Sequence, residues 1–419
     1  MDFKNTKTFA GELDFNDSLK GYRNKFFIPK QKNGKDSIYF AGNSLGLQPK
    51  SVKEYLEYEL NDWASLGVDA HLNAKHPWLP YHEFLTKPTC NIVGAKPLEV
   101  VNMNSLTVNL HLMLVSFYNP SKKRFKILIE SPAFPSDHYA VQSHIKFHGY
   151  EVSKSLIEIG PEEGESYIRT EKIIDIIKNM GESISLILLP GINYYSGQAF
   201  EFEKITKAGH ENGCIVGFDL AHGAGNLLLK LHEWNVDFAV WCSYKYLNAG
   251  PGSVAGAFVN ERFSQDAGLP KFLGWWGHDK ATRFLMDKKF IPIVGAESWQ
   301  LSNPPILSLA SLRASLDIFE EAGMKNLRAK SELLTAYMQY LLDDMKNDNI
   351  EIITPADKEL RGCQLSLRIK HGGRELHKKL LSGGVICDWR EPDVIRVAPV
   401  PLYNSFTDVR NFAEILRRK

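Results

Sequence analysis

The chain has 419 residues, 44% of them hydrophobic and 24% charged, an ordinary globular composition. Its formal net charge of +1 gives no field that would recruit nucleic acid or an anionic membrane. The five cysteines (Cys90, Cys214, Cys242, Cys363 and Cys387) are odd in number and form no CxxC pair, which argues against a disulfide framework or a zinc site. No run approaches the ~18 apolar residues of a membrane span. No apolar leader follows Met1, so a cytoplasmic location is expected. At roughly 150 residues per domain, two or three domains are expected.

In chain order, Val52, Tyr55, Leu56, Leu60 and Trp63 fall at helical spacing. Ser51 with Glu54 reads as a capping box for that helix. Residues 105–118 predict a mostly apolar, buried helix. KILIE (126–130) reads as a buried strand, followed by a polar, periodic segment to about Phe147. A helix over 171–180, the strand SLILLPG (185–191), a helix over 203–212 and the strands CIVGFDL (214–220) and VDFAVWC (236–242) follow. Continuous apolar strands alternating with helices predict an α/β fold, its mostly parallel sheet flanked by helices.

The pattern changes after residue 300. SNPP (302–305) breaks the chain, and a helical stretch over 308–346 is broken near Gly323. IEIIT (350–354) and CQLSLRI (363–369) alternate like antiparallel strands with one wet face. Helix, strand (VIRVAP) and helix close the chain. The expected division is an N-terminal segment 1–50, a large domain 51–300 and a smaller C-terminal α+β domain 301–419.

Asp219, in GFDLAH, ends an apolar strand, where ligands bind in open α/β sheets. Lys245, in SYKYLNAGPG, follows the next apolar strand. Alone, the aspartate reads as a turn former and the lysine as a surface charge. Together they supply two of the three things pyridoxal 5′-phosphate (PLP) needs: an amine for its aldehyde and an acid for its ring nitrogen. Burial would lower the lysine's pKa and free its amine. A cradle for the phosphate is NSLTVN (104–109), where the N–H groups of Leu106 and Thr107 open a helix. Phe134, in SPAFPSDHYA, sits where a ring can stack on a flat cofactor, and the two prolines predict a rigid loop.

These segments, with YFAGNSLGLQPK (39–50), GWWGH (274–278), RGCQLS (361–366) and IRVAPVPLYNSF (395–406), make the chain resemble the kynureninases over nearly its whole length. The resemblance implies a PLP-dependent homodimer of fold type I, class V of the aspartate aminotransferase superfamily. It implies a C–C hydrolase that takes L-kynurenine or 3-hydroxy-L-kynurenine to anthranilate or 3-hydroxyanthranilate plus L-alanine, in tryptophan catabolism and NAD biosynthesis. It assigns Lys245 as the Schiff-base lysine, Asp219 as the partner of the ring nitrogen and Phe134 as the stacking ring. Leu106, Thr107, Tyr244 and Trp275 become phosphate or cofactor contacts, Asp137 and His222 flank the cofactor, and Asn303 resembles a contact from the partner subunit. Arg396 would take the substrate α-carboxylate. His71, Ser302 and Asn303 match positions at the substrate's aryl end that favour the 3-hydroxy form. Tyr244 is the candidate acid/base on the carbonyl oxygen. Pro190 departs from the family's serine and puts a cofactor hydrogen bond there in doubt.

The nearest rival is a cysteine desulfurase, which shares the Asp–Lys pattern and carries a nucleophilic cysteine well past the lysine. Cys363 opens an alternating strand and reads instead as a half-buried structural thiol. His71, His76 and His82 lack an i, i+4 pair with an acid between them, so no metal site is expected.

Overall fold

A computed structural model of the chain describes residues 2–266 and 268–417. Strand β1 is Ile38–Tyr39. The main sheet comprises β2 (Val100–Asn102), β3 (Lys126–Glu130), β4 (Leu156–Ile159), β5 (Ile184–Pro190), β6 (Ile215–Asp219), β7 (Phe238–Trp241) and β8 (Gly256–Val259). The C-terminal part adds β9 (Ile350–Ile352), β10 (Leu365–Ile369), β11 (Val385–Ile386), β12 (Asp388–Arg390) and β13 (Val394–Val397).

The main sheet runs β2-β8-β7-β6-β5-β3-β4. Strands β7, β6, β5, β3 and β4 are parallel, while β8 pairs antiparallel with both β7 and β2. Successive side chains point to opposite faces. Ile127 and Ile129 of β3 therefore join one core, with Leu110 and Met113 of helix Leu106–Phe117 and Val141 of helix Pro135–Phe147. Leu128, with Val216 and Phe218 of β6, joins the other, which holds Ile173 of helix Thr170–Met180 and Ile205 of helix Phe202–Glu211. Both faces are covered, and the strands read as unbroken apolar runs for that reason.

The four-stranded antiparallel sheet β12-β13-β10-β9 carries a second core around Leu341, Leu365, Leu367, Ile395, Val397 and Phe412. Ala10, Ile38 and Phe40 belong to this core although they lie far away in sequence. Asp14 accepts from the amides of Phe406 (2.7 Å) and Thr407 (3.1 Å), capping the last helix, Phe406–Arg417. Helix Ile306–Ala322 instead packs Leu309, Leu312, Leu316 and Phe319 into the main-sheet core.

Four local expectations are corrected. Ser51 has helical backbone angles and makes no side-chain cap, so the capping box does not form. Pro135 opens a helix at its first position, where its missing N–H is no loss, rather than stiffening a loop. β10 is buried at every position but Arg368, because it is a central strand covered on both faces rather than wet on one. Cys363 is wholly buried rather than half-buried. The break at Gly323, whose φ is +75°, falls between helices Ile306–Ala322 and Met324–Asp344.

Candidate active site

The carboxyl ends of β3, β5, β6 and β7 open into one cavity, where ligands bind in open α/β sheets. Glu130, Pro190 and Asp219 line it from the strand ends, and Tyr244 and Lys245 from the loop after β7. Leu106 and Thr107 line it from one helix N-terminus, and Phe134, Ser136 and Asp137 from another; Ile192, Tyr194, Ala221 and His222 complete the wall. Asp219 and Lys245 thus follow adjacent parallel strands. The loop bearing Lys245 is fixed by the N-terminal segment: Gly46 donates its amide to the Tyr244 carbonyl at 2.8 Å. A Cβ at Gly46 would meet the Lys245 carbonyl and Asn248.

Lys245 is half-buried, with its side chain in the cavity. Its Nζ lies 5.8 Å from the centre of the Phe134 ring and 5.9 Å from that of Tyr244. Phe134 is 42% exposed beside the cavity, which leaves part of its ring open to a flat ligand. Ser105 makes no side-chain cap at the helix it precedes, leaving the first-turn N–H groups available to an anion. The hydroxyls of Thr107 and Ser136 lie 2.9 Å apart at the same end.

Three carboxyls crowd the cavity. Burial pushes Glu130 up to about 8, with the charges of Asp219 and Glu158 adding to it. Burial, then Asp219 and Glu130, push Asp137 well above its ordinary value, which favours a protonated Asp137 whose O–H hydrogen-bonds to Asp219. Asp219 is raised by burial as well, but the Ala221 amide (2.7 Å), Lys245 and Asp137 oppose that rise. His222 is held neutral, its pKa driven far down by burial and then by Lys245, Arg396 and Arg390. Among the described residues, Asp137 Oδ1 and His222 Nδ1 are buried without a hydrogen-bond partner. Burial, then Cys242 and Asp219, push the Tyr244 phenol up.

Glu130, Ser136 and Tyr194 escaped the sequence reading. Glu130 had a signal: a charged residue closing an apolar strand. Other expected residues lie elsewhere within the same chain. Ser302 and Asn303 line a separate cleft with Asn104, Ser105 and Gly252. Trp275 is 44% exposed on a short helical turn. His71 sits on the short helix Ala70–Asn73, its ring centre 5.5 Å from that of Trp78. His76 pairs with Glu59 and His82 with Glu297, so the three histidines do not converge. Lys280 spans Glu83 and Glu297 at 2.9 and 2.8 Å, already placing a cation in the cluster these acids form with His82. Arg396, on β13, is 1% exposed and donates to the carbonyl of Tyr194 at 2.9 Å.

This chain is 57% identical to the kynureninase of Koribacter versatilis, over 98% of its own length and 97% of that protein's. The chain belongs to the kynureninase family. The kynureninase of Myxococcus xanthus is 56% identical over 99% of the chain and 97% of its own, and that of Mus musculus is 50% identical over 97% and 92%. A family model, the kynureninase C-terminal domain, matches residues 327–416. Among solved structures, a C-DES mutant with glycine covalently linked to its PLP cofactor has a TM-score of 0.77 at 15% identity, covering 95% of this chain and 99% of that one. A cysteine desulfurase from Thermococcus onnurineus has a TM-score of 0.73 at 17% identity, over 91% and 94%. These likenesses show the fold, that of fold-type-I PLP enzymes. Cys363, the cysteine that the desulfurase alternative would use as a nucleophile, is wholly buried here, its thiol pushed by burial up to about 12.

Proposed function

We propose that the protein hydrolyses L-kynurenine or 3-hydroxy-L-kynurenine to anthranilate or 3-hydroxyanthranilate plus L-alanine, with PLP in the cavity at the ends of β6 and β7. The observation that carries this reading is Lys245 and Asp219 sharing one cavity in a chain so close to named kynureninases. The cavity fits the cofactor: an amine, a buried carboxylate, an open aromatic face and a helix N-terminus with free N–H groups surround it. Lys245 would bond the aldehyde, Asp219 pair with the ring nitrogen and Phe134 stack on the ring. The N–H groups of Leu106 and Thr107, with the hydroxyls of Thr107 and Ser136, would hold the phosphate. Asp137 and His222 would flank the ring. Pro190 offers neither N–H nor hydroxyl, so Asp219 depends on Ala221 and Asp137 for its hydrogen bonds.

Bound there, PLP supplies an aldehyde carbon that bonds an amine and a ring that draws electrons from the attached amino acid. Lys245, with its amine unbonded, would be the base that removes the Cα proton. Arg396 pairs with the substrate α-carboxylate. Tyr244, kept protonated by burial and its neighbours, would give its proton to the γ-carbonyl oxygen as water adds to that carbon, and recover one from the added water. When the Cβ–Cγ bond breaks, its electron pair stays on Cβ, which takes up the proton the diol loses to give L-alanine. The γ-carbon leaves as the carboxyl of the anthranilate product.

Further parts of the reading follow. The residues expected at the cofactor but outside this cavity, Trp275 and Asn303, are supplied by a second copy in a homodimer. Exposed Phe272, Leu273, Phe284, Leu285 and Met286 beside Trp275 support such an interface. His71, Ser302 and Asn303 favour the 3-hydroxy substrate. Five buried free thiols support a reducing, cytoplasmic compartment. The proposed division is a large unit over 51–300 and a small one over 301–419, with helix Ile306–Ala322 crossing over to pack on the large unit's core and residues 1–50 tied to both through Gly46 and Asp14.

The deciding experiment adds each substrate to purified, PLP-loaded protein and follows the fluorescent anthranilate products, with sulfide release from cysteine measured in parallel. Sulfide without anthranilates reverses the choice. Sedimentation of the active protein as a monomer removes the dimer.

A further inference from the structure

Arg396 is almost wholly enclosed, and its contacts are specific about which edge they cover. In the register of β12 on β13, Asp388 lies directly opposite Arg396. Asp388 Oδ2 accepts from Arg396 Nη2 and from the Ser44 hydroxyl, and Ser44 Oγ also accepts from Arg396 Nη2 at 3.1 Å. The Tyr194 carbonyl takes one N–H of Nη1 at 2.9 Å, and Nε is buried with no partner among the described residues. A guanidinium has five N–H donors and grips a carboxylate with two parallel ones. It offers two such forks: Nη1 with Nη2 at the tip, and Nε with Nη2 along the side. Both need Nη2, whose two hydrogens are taken by Asp388 and Ser44.

A second cation waits beside the first. Arg390, on the same strand as Asp388, donates from Nη2 to the same Oδ2 at 3.3 Å. Two arginines share one carboxylate, so the cluster carries a net charge of about +1, which one further carboxylate neutralises. Burial opposes the charge on Asp388, but Arg396, Ser44 and Arg390 outweigh it and hold the carboxyl below its ordinary value.

We propose that Asp388 is a built-in carboxylate on the Nη2 edge of Arg396, and that a substrate α-carboxylate binds by exchange, passing Asp388 from Arg396 to Arg390. Asp388 and Arg390 are positioning residues here, setting how readily Arg396 is released to a carboxylate ligand. This rests on the reading of Arg396 as the carboxylate-binding residue.

The test uses the PLP-loaded enzyme and two inhibitors. L-Alanine carries the carboxylate; kynuramine is kynurenine without it. Asp388→Asn keeps the shape and removes the competing charge. The inhibition constant of L-alanine should fall about tenfold, the size of one charge-assisted hydrogen bond no longer given up. The constant for kynuramine should stay as it is. An unchanged or weaker grip on L-alanine in folded Asp388→Asn overturns the exchange. If Asp388→Asn does not fold, Ser44→Ala carries the same arm, since it frees one Nη2 hydrogen and loosens Asp388, and the same two results decide. Arg390→Gln should weaken L-alanine in the parent protein and have no effect in Asp388→Asn. Equal weakening in both backgrounds means that Arg390 acts on the ligand itself, and the handover falls. Arg396→Lys separates the two layers. If it leaves L-alanine binding untouched, the carboxylate is held elsewhere, and the reading of Arg396 fails whatever Asp388 does.

Discussion

Glu130 gives a quantitative test of how the cavity handles charge. Its side chain is 3% exposed at the end of β3. Its carboxyl titrates near 8 in the folded protein, against 4.5 ordinarily. Between those two values the unfolded chain has released this proton and the folded protein retains it. The unfolded state therefore binds fewer protons, and stability falls as pH rises. The slope is about 1.4 kcal/mol per pH unit, so the accumulated cost is roughly 3 kcal/mol at pH 7 and levels near 5 kcal/mol above pH 8. Glu130→Gln has the same shape as the protonated acid and cannot ionise in either state. Its stability relative to the parent should accordingly be smallest at pH 5, climb through neutrality and flatten above pH 8. Thermal midpoints of both proteins across this range, at fixed PLP concentration, measure the difference; the gap should widen by several degrees. A gap that stays constant from pH 5 to pH 9 would refute the buried, neutral Glu130 and the cavity charge count built on it.

Lys245→Ala should lose the visible absorption of a lysine-bonded cofactor; a band that survives in this variant withdraws the assignment of Lys245. Tyr244→Phe should slow turnover by about a hundredfold, the lower range of general acid catalysis, while the affinity for PLP changes little, and equal losses of both would make Tyr244 an anchor only. A Cβ at Gly217 would run into the Phe238 ring on the neighbouring strand, so Gly217→Ala should cost about 1–3 kcal/mol and disturb Asp219 two residues on; wild-type stability and PLP affinity would show that the strands give way freely.

The parts of the fold legible in the sequence were those whose surroundings leave a mark on composition. β3, β5, β6 and β7 are covered on both faces and announce themselves as apolar runs. β2, β4 and β8 are three or four residues long and carry no readable period; β7, as short, is legible only through the apolar residues that flank it. β10 showed alternation, yet Ser366 on its supposed wet side is buried, hydrogen-bonded to the Tyr195 carbonyl at 2.6 Å; a polar residue satisfied by backbone looks like a solvated one in sequence. The same blindness hid the N-terminal segment's share in the C-terminal core, since Phe40 and Phe412 meet only in three dimensions. Motifs located Lys245, Asp219, Phe134 and Asp137, which meet in one cavity. Asp388 had no such signal, because its opposition to Arg396 is a matter of strand register.

The cavity also shows how one ionised carboxyl is chosen from three. Burial is common to Glu130, Asp137 and Asp219, and it disfavours the charge on each, so it cannot be what selects among them. The selection comes from donors. Asp219 accepts from the backbone amide of Ala221 at 2.7 Å and has Asp137's proton and the charge of Lys245 added to it. Asp137 is spent as the donor in that pair, and Glu130 has only its own amide to set against burial and two neighbouring acids. With His222 neutral, Asp219 is the acid of the three best supported as a carboxylate in the cavity it shares with Lys245. Several buried, unpaired charges would each carry a desolvation penalty of several kcal/mol; the fold avoids that by leaving protons on two acids. On the proposed reading, the cofactor's ring nitrogen would face Asp219, the carboxyl with the most donors in the cavity.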